Sequence, residues 1–263
     1  MMWKIIGASA IGESHSAHHQ PCQDHHFYSN AGGLLVAIAC DGAGSATNGK
    51  QGAKFGSESI TTELMSALEG KFEDANFSQN SFRSLLEQII EGVRTKLLNE
   101  QIACSQDLSA FHSTLVGLVF GSNGGYFFHI GDGAGVAFES NRSTIAAFSR
   151  AENGDFADQT FFYTMDNWRE HLRITVIPKS AEVFLLMSDG TMPFCLNSSQ
   201  DGIEPRFFRP LDEYLLGAEI TSESGSQALM ETLSSERANS ISKDDKTLVW
   251  ISKQIETVIT NEC

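Results

Sequence analysis

The chain has little of several things. Only 5 of its 263 residues are proline, against 23 glycines, which points to many tight turns between regular elements. No stretch approaches the roughly 20 apolar residues of a membrane span. The N-terminal MMWKIIGASAIGESHS lacks an apolar run long enough for a signal peptide. Cysteine is sparse and odd in number, at positions 22, 40, 104, 195 and 263 with no CxxC, which suits reduced thiols in the cytoplasm better than a disulfide framework. Positive charge is short: 18 Lys and Arg face 33 Asp and Glu, a formal charge of −15. That argues against nucleic acid or an anionic membrane as partner. Anionic substrates stay open, because bound metal ions reverse local charge. Charged residues are only 19% against 41% hydrophobic ones, which excludes a disordered chain. No repeat or linker divides residues 1–263, so one domain is expected.

What is present has a clear order. Residues 3–10 and LLVAIAC (34–40) read as strands, the second fully apolar and stopped by Asp41-Gly42. Residues 49–68 take helical spacing, with Ala53, Ile60, Leu64 and Leu68 on one face. A stronger helix spans about 80–103, striped by Phe82, Leu86, Ile90, Val93, Leu97 and Ile102, with Asn80 or Ser81 as its N-cap. Short apolar segments follow at 113–121, 125–131, 135–138 and 144–149, which read as antiparallel strands. Residues 150–172 show no clean period and read as a loop or insertion carrying Phe156, Phe161, Phe162, Tyr163 and Trp168. Strands are expected again at 173–178 and 181–188, irregular chain at 195–224, a helix at 225–238 and a last strand at 247–252. Two consecutive helices followed by hairpins favour an α+β arrangement of antiparallel sheets covered by helices.

Carboxylates punctuate this order at the rims of the strands. Asp41-Gly42 and Asp189-Gly190 each follow a buried strand, and Asp244-Asp245 precede one. Any single Asp-Gly is an ordinary turn pair. Several such carboxylates brought together repel one another unless a cation sits among them. Oxygen donors select hard ions, Mg²⁺ or Mn²⁺. The stretch His15-Ser-Ala-His18-His19-Gln-Pro-Cys22-Gln-Asp24-His25-His26 holds enough ligands for zinc, but its spacing matches no common zinc pattern. Histidines lining the mouth of a metal site are the alternative, one of them serving as proton donor; the sequence does not say which.

Read in order, the strings are Gln23-Asp24, Asp41-Gly42-Ala43-Gly44-Ser45, His112-Ser113-Thr114-Leu115, Gly131-Asp132-Gly133, Ser188-Asp189-Gly190 and Asp244-Asp245-Lys246-Thr247. From about residue 5 to 252 their order and spacing resemble the metal-dependent Ser/Thr protein phosphatases of type 2C, most closely the bacterial branch. The resemblance implies a four-layer α/β/β/α sandwich, two antiparallel sheets flanked by helix pairs, with segment 150–172 as a flap beside the active site. It implies two Mn²⁺ or Mg²⁺ ions and a weaker third. Asp41 would bridge the two ions and the Gly42 carbonyl would bind one. Asp189 and Asp244 would bind the other, Asp24 would act through a water, and Asp132 would help hold the third. Thr114 matches a supporting motif. The implied activity is hydrolysis of phosphoserine and phosphothreonine in proteins by a metal-activated water, with a Ser/Thr kinase as the opposing partner.

Four positions depart from that pattern. Ala43 stands where eukaryotic members carry a His, a general-acid candidate. His19 stands at the place of a phosphate-binding Arg, with His18 beside it as a second substrate-binding candidate. Gln23 replaces a Glu. Asp245 replaces an Asn, which leaves Asp244 and Asp245 open by one position. These departures motivate a second expectation, a catalytically weak pseudophosphatase that binds phosphoproteins or a partner.

Overall fold

The computed structural model describes residues 2–73, 77–101, 107–152 and 160–254. The chain runs through β1 (Trp3–Ala10), α1 (Glu13–Ser16), β2 (His25–Ala31), β3 (Leu34–Cys40), α2 (Gly49–Leu68) and α3 (Gln79–Gln101). A meander follows, β4 (Leu115–Gly121), β5 (Gly124–Ile130), β6 (Ala134–Glu139) and β7 (Ile145–Ser149). Then come α4 (Trp168–His171), β8 (Arg173–Ile177), β9 (Ala181–Met187), α5 (Met192–Cys195), α6 (Pro205–Leu216), α7 (Ser222–Leu233), α8 (Glu236–Ile241) and β10 (Lys246–Lys253). Two five-stranded antiparallel sheets result, in the orders β1-β10-β9-β6-β7 and β2-β3-β4-β5-β8. The expected α+β sandwich of two antiparallel sheets with helices outside is the observed fold. No helix among the described residues is long and apolar enough to cross a membrane.

Three apolar layers explain why the central strands are apolar on both faces. Leu35, Ala37 and Ala39 of β3 pack between the sheets, against Phe120, Phe184 and Val249. Val36, Ile38 and Cys40 face outward onto Ile60 and Leu64 of α2 and Phe82, Leu86 and Ile90 of α3. In β10, Val249 and Ile251 face the inner layer, and Leu248 and Trp250 face Leu229 and Leu233 of α7. Alternation sends each strand's side chains to opposite faces, so a strand covered on both sides reads as a continuous apolar run. Each such Leu, Ile or Phe contributes about 1.5–3 kcal/mol by burial.

Four expectations need correction. β2 was not anticipated: HHFYSNA is an edge strand, and its residues are half-buried or exposed. The irregular stretch 195–224 contains α6, started by Glu204, whose carboxylate accepts from the Arg206 N–H (3.1 Å), with Pro205 in the first turn. The helix expected at 225–238 is two helices. The second is started by Ser235, which accepts from the Ala238 N–H (3.2 Å). For α3 the cap is Ser78, whose hydroxyl accepts from the Ser81 N–H (3.2 Å), rather than Asn80 or Ser81. Ile102, Cys104, Phe156 and Cys263 lie outside the described residues.

Strand registers put the loops of interest together. His25 pairs with Cys40, Ala39 with Val116 and Leu115 with Ile130 in one sheet. Ala10 pairs with Lys246, and Met187 with both Leu248 and Ala134, in the other. Antiparallel pairing then gathers loops 11–24, 41–48, 112–114, 131–133, 188–191 and 242–245 at one end of the sandwich.

Candidate metal centre

Asp41 leaves β3 and is clamped by Thr114. Its backbone N–H donates to the Thr114 hydroxyl (3.0 Å), and its carbonyl accepts from the Thr114 N–H (2.9 Å). Gly131, which sets up Asp132, has φ +111°, and a Cβ there would stand 2.7 Å from the Thr114 methyl, so conformation and space both demand glycine. Asp189 opens a 3-10 turn just past β9. Gly190 lets that turn lie against β10, since a Cβ would stand 2.0 Å from the Asp245 carbonyl. Oxygens of Asp41, Asp132 and Asp189 come within 4.8 Å of one another, the one group of three or more potential ligands among the described residues. No zinc-like His and Cys cluster accompanies it among those residues.

Lys246 is the cation whose charge reaches Asp24 and Asp244, and its Nζ donates to the Asp244 carbonyl (2.8 Å) rather than to a carboxylate. Burial pushes Asp41 well above the ordinary carboxylate range, and the charges of Asp24, Asp189 and Asp244 add to it. Burial raises Asp189 to about 6, with Asp132 and Asp244 contributing. Asp132 is raised by burial against a hydrogen bond from Thr160. Asp24 is buried and raised to about 7 by that burial, and its Oδ2 accepts from the Ser188 hydroxyl (2.7 Å). Ser188 in turn accepts from the Thr247 N–H (2.8 Å), tying Asp24 to both central strands. Oδ1 of Asp24 and Oδ1 of Asp189 are buried without a partner. Orphaned buried carboxylate oxygens carry a high cost. An oxygen-only donor set that repels itself fits hard divalent cations.

The two adjacent acids at 244 and 245 separate cleanly. Asp245 is buried, and its carboxylate accepts from the Gly12 N–H (2.7 Å) and the Gln23 N–H (2.6 Å). His15 Nδ1 lies 2.9 Å from the same group. Asp245 is thus a staple joining three loops. Asp244 is exposed at the rim, and its charge acts on Asp41, Asp132 and Asp189. Sequence reasoning missed the staple and the Ser188 bridge; their only signal was adjacency to Asp244 and Asp189.

Gln23 is buried, and its side-chain amide satisfies its neighbours when oriented with its nitrogen donating to the carbonyls of Gly42 (3.2 Å) and Ala43 (3.1 Å). His18 is exposed and turns Nδ1 to the Ser14 carbonyl (2.8 Å). His19 is exposed at φ +55°. Neither hydrogen-bonds a site carboxylate among the described residues. Cys22 and Cys40 are no nucleophiles here, because burial pushes both thiols up. In segment 150–172, Tyr163 and Trp168 are fully buried, and the Tyr163 hydroxyl donates to the Gly52 carbonyl (2.9 Å). Phe162 stacks on His112 and Phe161 on His171. Arg169 pairs with Glu91 and Arg173 with Glu152, so neither guanidinium is free.

Residues 11–234 match the family model for protein phosphatase 2C. Serine/threonine-protein phosphatase 3 of Escherichia coli K12 is 27% identical over 256 residues, covering 94% of this chain and 97% of that protein. Among solved structures, a bacterial serine phosphatase superposes with a TM-score of 0.61 at 16% identity, covering 98% of this chain and all of that one. The serine/threonine phosphatase Stp1 of Staphylococcus aureus gives 0.60 at 15%, covering 97% of this chain and 96% of its own. PppA, a regulatory component of the T6SS in Pseudomonas aeruginosa, gives 0.60 at 15%, covering 96% and 98%.

Proposed function

The chain belongs to the protein phosphatase 2C family, the protein serine/threonine phosphatases, and we propose that it works through divalent cations held by the carboxylate cluster. The observation that carries this is the convergence of Asp41, Asp132 and Asp189 within 4.8 Å, with buried unpartnered oxygens on Asp24 and Asp189. Asp41 sits centrally and would bridge two ions. The Gly42 carbonyl would join one of them, and Asp189 with Asp244 the other. Asp132, on the Thr160 side, would help hold a third. Asp24 lies one layer deeper and would act through a water. Mn²⁺ and Mg²⁺ both suit these donors.

Bound there, the cations supply charge against the phosphoryl oxygens and lower the pKa of the attacking water. The chain's own contribution is placement. Thr114 fixes Asp41 through two backbone hydrogen bonds, and Ser188 fixes Asp24. The close approach of Gly190 to Asp245 holds the Asp189 turn against the Asp244 loop. Such rigidity matters because phosphoryl displacement depends mainly on positioning and electrostatics. The attacking oxygen bonds to phosphorus in line as the serine or threonine oxygen departs. The substrate is a phosphorylated protein, opposed by a Ser/Thr kinase. The free thiols Cys22, Cys40 and Cys195 support a cytoplasmic setting.

The test is hydrolysis of a phosphothreonine peptide by purified protein with Mn²⁺ or with EDTA, beside Asp189→Asn. Turnover that needs the ion and is lost in the variant is the expected result. Absence of turnover across several peptides in Mn²⁺ and Mg²⁺ would overturn it in favour of a phosphoprotein-binding module.

A further inference from the structure

Departure of a serine or threonine oxygen leaves an alkoxide, a strong base that needs a proton. Ala43 has none to give. Imidazole is the usual proton carrier at neutral pH. Most histidines of the described residues are engaged elsewhere: His18 with Ser14, His25 with Ser57, His26 with Ser9, His112 with Thr164, His129 with Ser149 and His171 with Glu152.

His15 is placed differently. It lies on α1, which is pinned to the acidic loop by the Ser14 N–H donating to the Lys243 carbonyl (3.0 Å). Its side chain is only 12% exposed. Nδ1 lies 2.9 Å from Asp245 Oδ2, and Asp245 is itself held by the Gly12 and Gln23 N–H groups. The opposite ring nitrogen faces the loop after Asp41: a Cβ on Gly44 would stand 3.7 Å from Nε2. Gly44 is exposed and follows Asp41 in the same loop, so Nε2 borders the exposed loop that leaves Asp41. Nδ1 is buried and makes no hydrogen bond of good geometry, so Asp245 meets it as a neighbouring charge, while the other ring nitrogen borders the exposed Gly44 loop. A carboxylate beside one nitrogen and an accessible edge at the other suit an imidazole that carries a proton.

We propose that His15 donates the proton to the departing serine or threonine oxygen, with Asp245 as its positioning residue. The proposal rests on the phosphatase reading above. In the step, the bond from the attacking oxygen to phosphorus forms and the bond from phosphorus to the serine or threonine oxygen breaks. The released electron pair takes the Nε2 proton, leaving a neutral alcohol and a neutral imidazole. Solvent returns the proton before the next turnover.

The test compares two substrates in Mn²⁺. A phosphothreonine peptide releases an alkoxide that needs the proton. p-Nitrophenyl phosphate releases a phenolate that does not. His15→Asn is expected to lower kcat/KM on the peptide by about 10² to 10⁴ and on the aryl ester far less. Asp245→Asn is expected to show the same selectivity with a smaller loss. Equal losses on both substrates, or no loss on either, in variants of an active wild type would overturn the assignment alone. A wild type that hydrolyses neither substrate would overturn the phosphatase reading, and the assignment with it. Only variants whose thermal melts match the wild type enter the comparison, and His15→Gln repeats it with a longer amide.

Discussion

Two regions of this protein bury aspartate, and they do so in opposite ways. Asp212 on α6 is buried and fully answered. Arg142 donates to it twice, through Nε (2.5 Å) and Nη2 (2.7 Å), and the Trp250 indole donates to it at 2.8 Å. At the open end of the sandwich, Asp24, Asp41, Asp132 and Asp189 are crowded together with one another's charge for company. Among the described residues an arginine answers Asp212, and none pairs with these four, of which Asp24 is buried and the others half-buried. The first region is a structural ion pair. On the proposed reading the second is a set of ligands whose counter-charge arrives from solution.

The sharpest way to break this comparison is to remove one acid from each region. Asp189→Asn is expected to cut metal-dependent turnover by about 10³ or more, the equivalent of several kcal/mol of lost charge stabilisation. Yet it should raise the thermal stability of the metal-free protein, because one repelling charge is gone. Asp212→Asn should do the reverse. Leaving Arg142 without its partner costs roughly 3 kcal/mol, read by denaturant unfolding, with activity per folded molecule little changed. Two destabilised variants, or two stabilised ones, would dissolve the distinction.

A pH titration sharpens it next. Asp24 is raised to about 7 and Asp189 to about 6 in the folded chain, while the unfolded groups keep ordinary carboxylate values. Between about pH 4 and 7 the native state therefore binds more protons than the unfolded state, so stability falls as pH rises through that window. The slope is on the order of 1.4 kcal/mol per pH unit for each such group. Thermal melts of the metal-free protein should show a Tm that drops from pH 5 to pH 7.5. Added Mn²⁺ should flatten that drop, since the ion replaces the proton. The Asp212 region should leave no trace in the difference between the two curves.

How much of this was legible follows from burial. Asp41 and Asp189 stood out because each ends a strand buried on both faces, where a charge has no reason to sit without a role. The same two-faced burial made β3, β9 and β10 readable. Edge strand β2 was not, because its polar residues are spent on a half-exposed surface. Helix α6 was hidden by Pro205 and Pro210, although Glu204 and Pro205 form a proper start. Which of Asp244 and Asp245 is tied down between loops was out of reach. It depends on which carboxylate meets the Gly12 and Gln23 N–H groups, a contact between loops over two hundred residues apart in the chain. For the same reason the sequence showed a run of histidines but not that His15, rather than His18 or His19, turns inward.

The smallest expected effect concerns Gln23. In the orientation that satisfies its neighbours its amide donates to the Gly42 carbonyl, and as an amide it withholds one negative charge from the cluster. Gln23→Glu should free that carbonyl and tighten Mn²⁺ binding by up to about tenfold, measured by calorimetry. Unchanged or weaker binding would mean that Gly42 takes no part in holding the ion.

The most direct measurement is isothermal titration of Mn²⁺ into metal-stripped protein at pH 6.5, in two buffers of different ionisation enthalpy. The cluster holds protons in place of metal, so at least two ions should bind with release of protons, and Asp189→Asn should lose sites and released protons together. Absence of binding, or binding that releases no proton and is indifferent to Asp189→Asn, would contradict a metal centre built from these carboxylates.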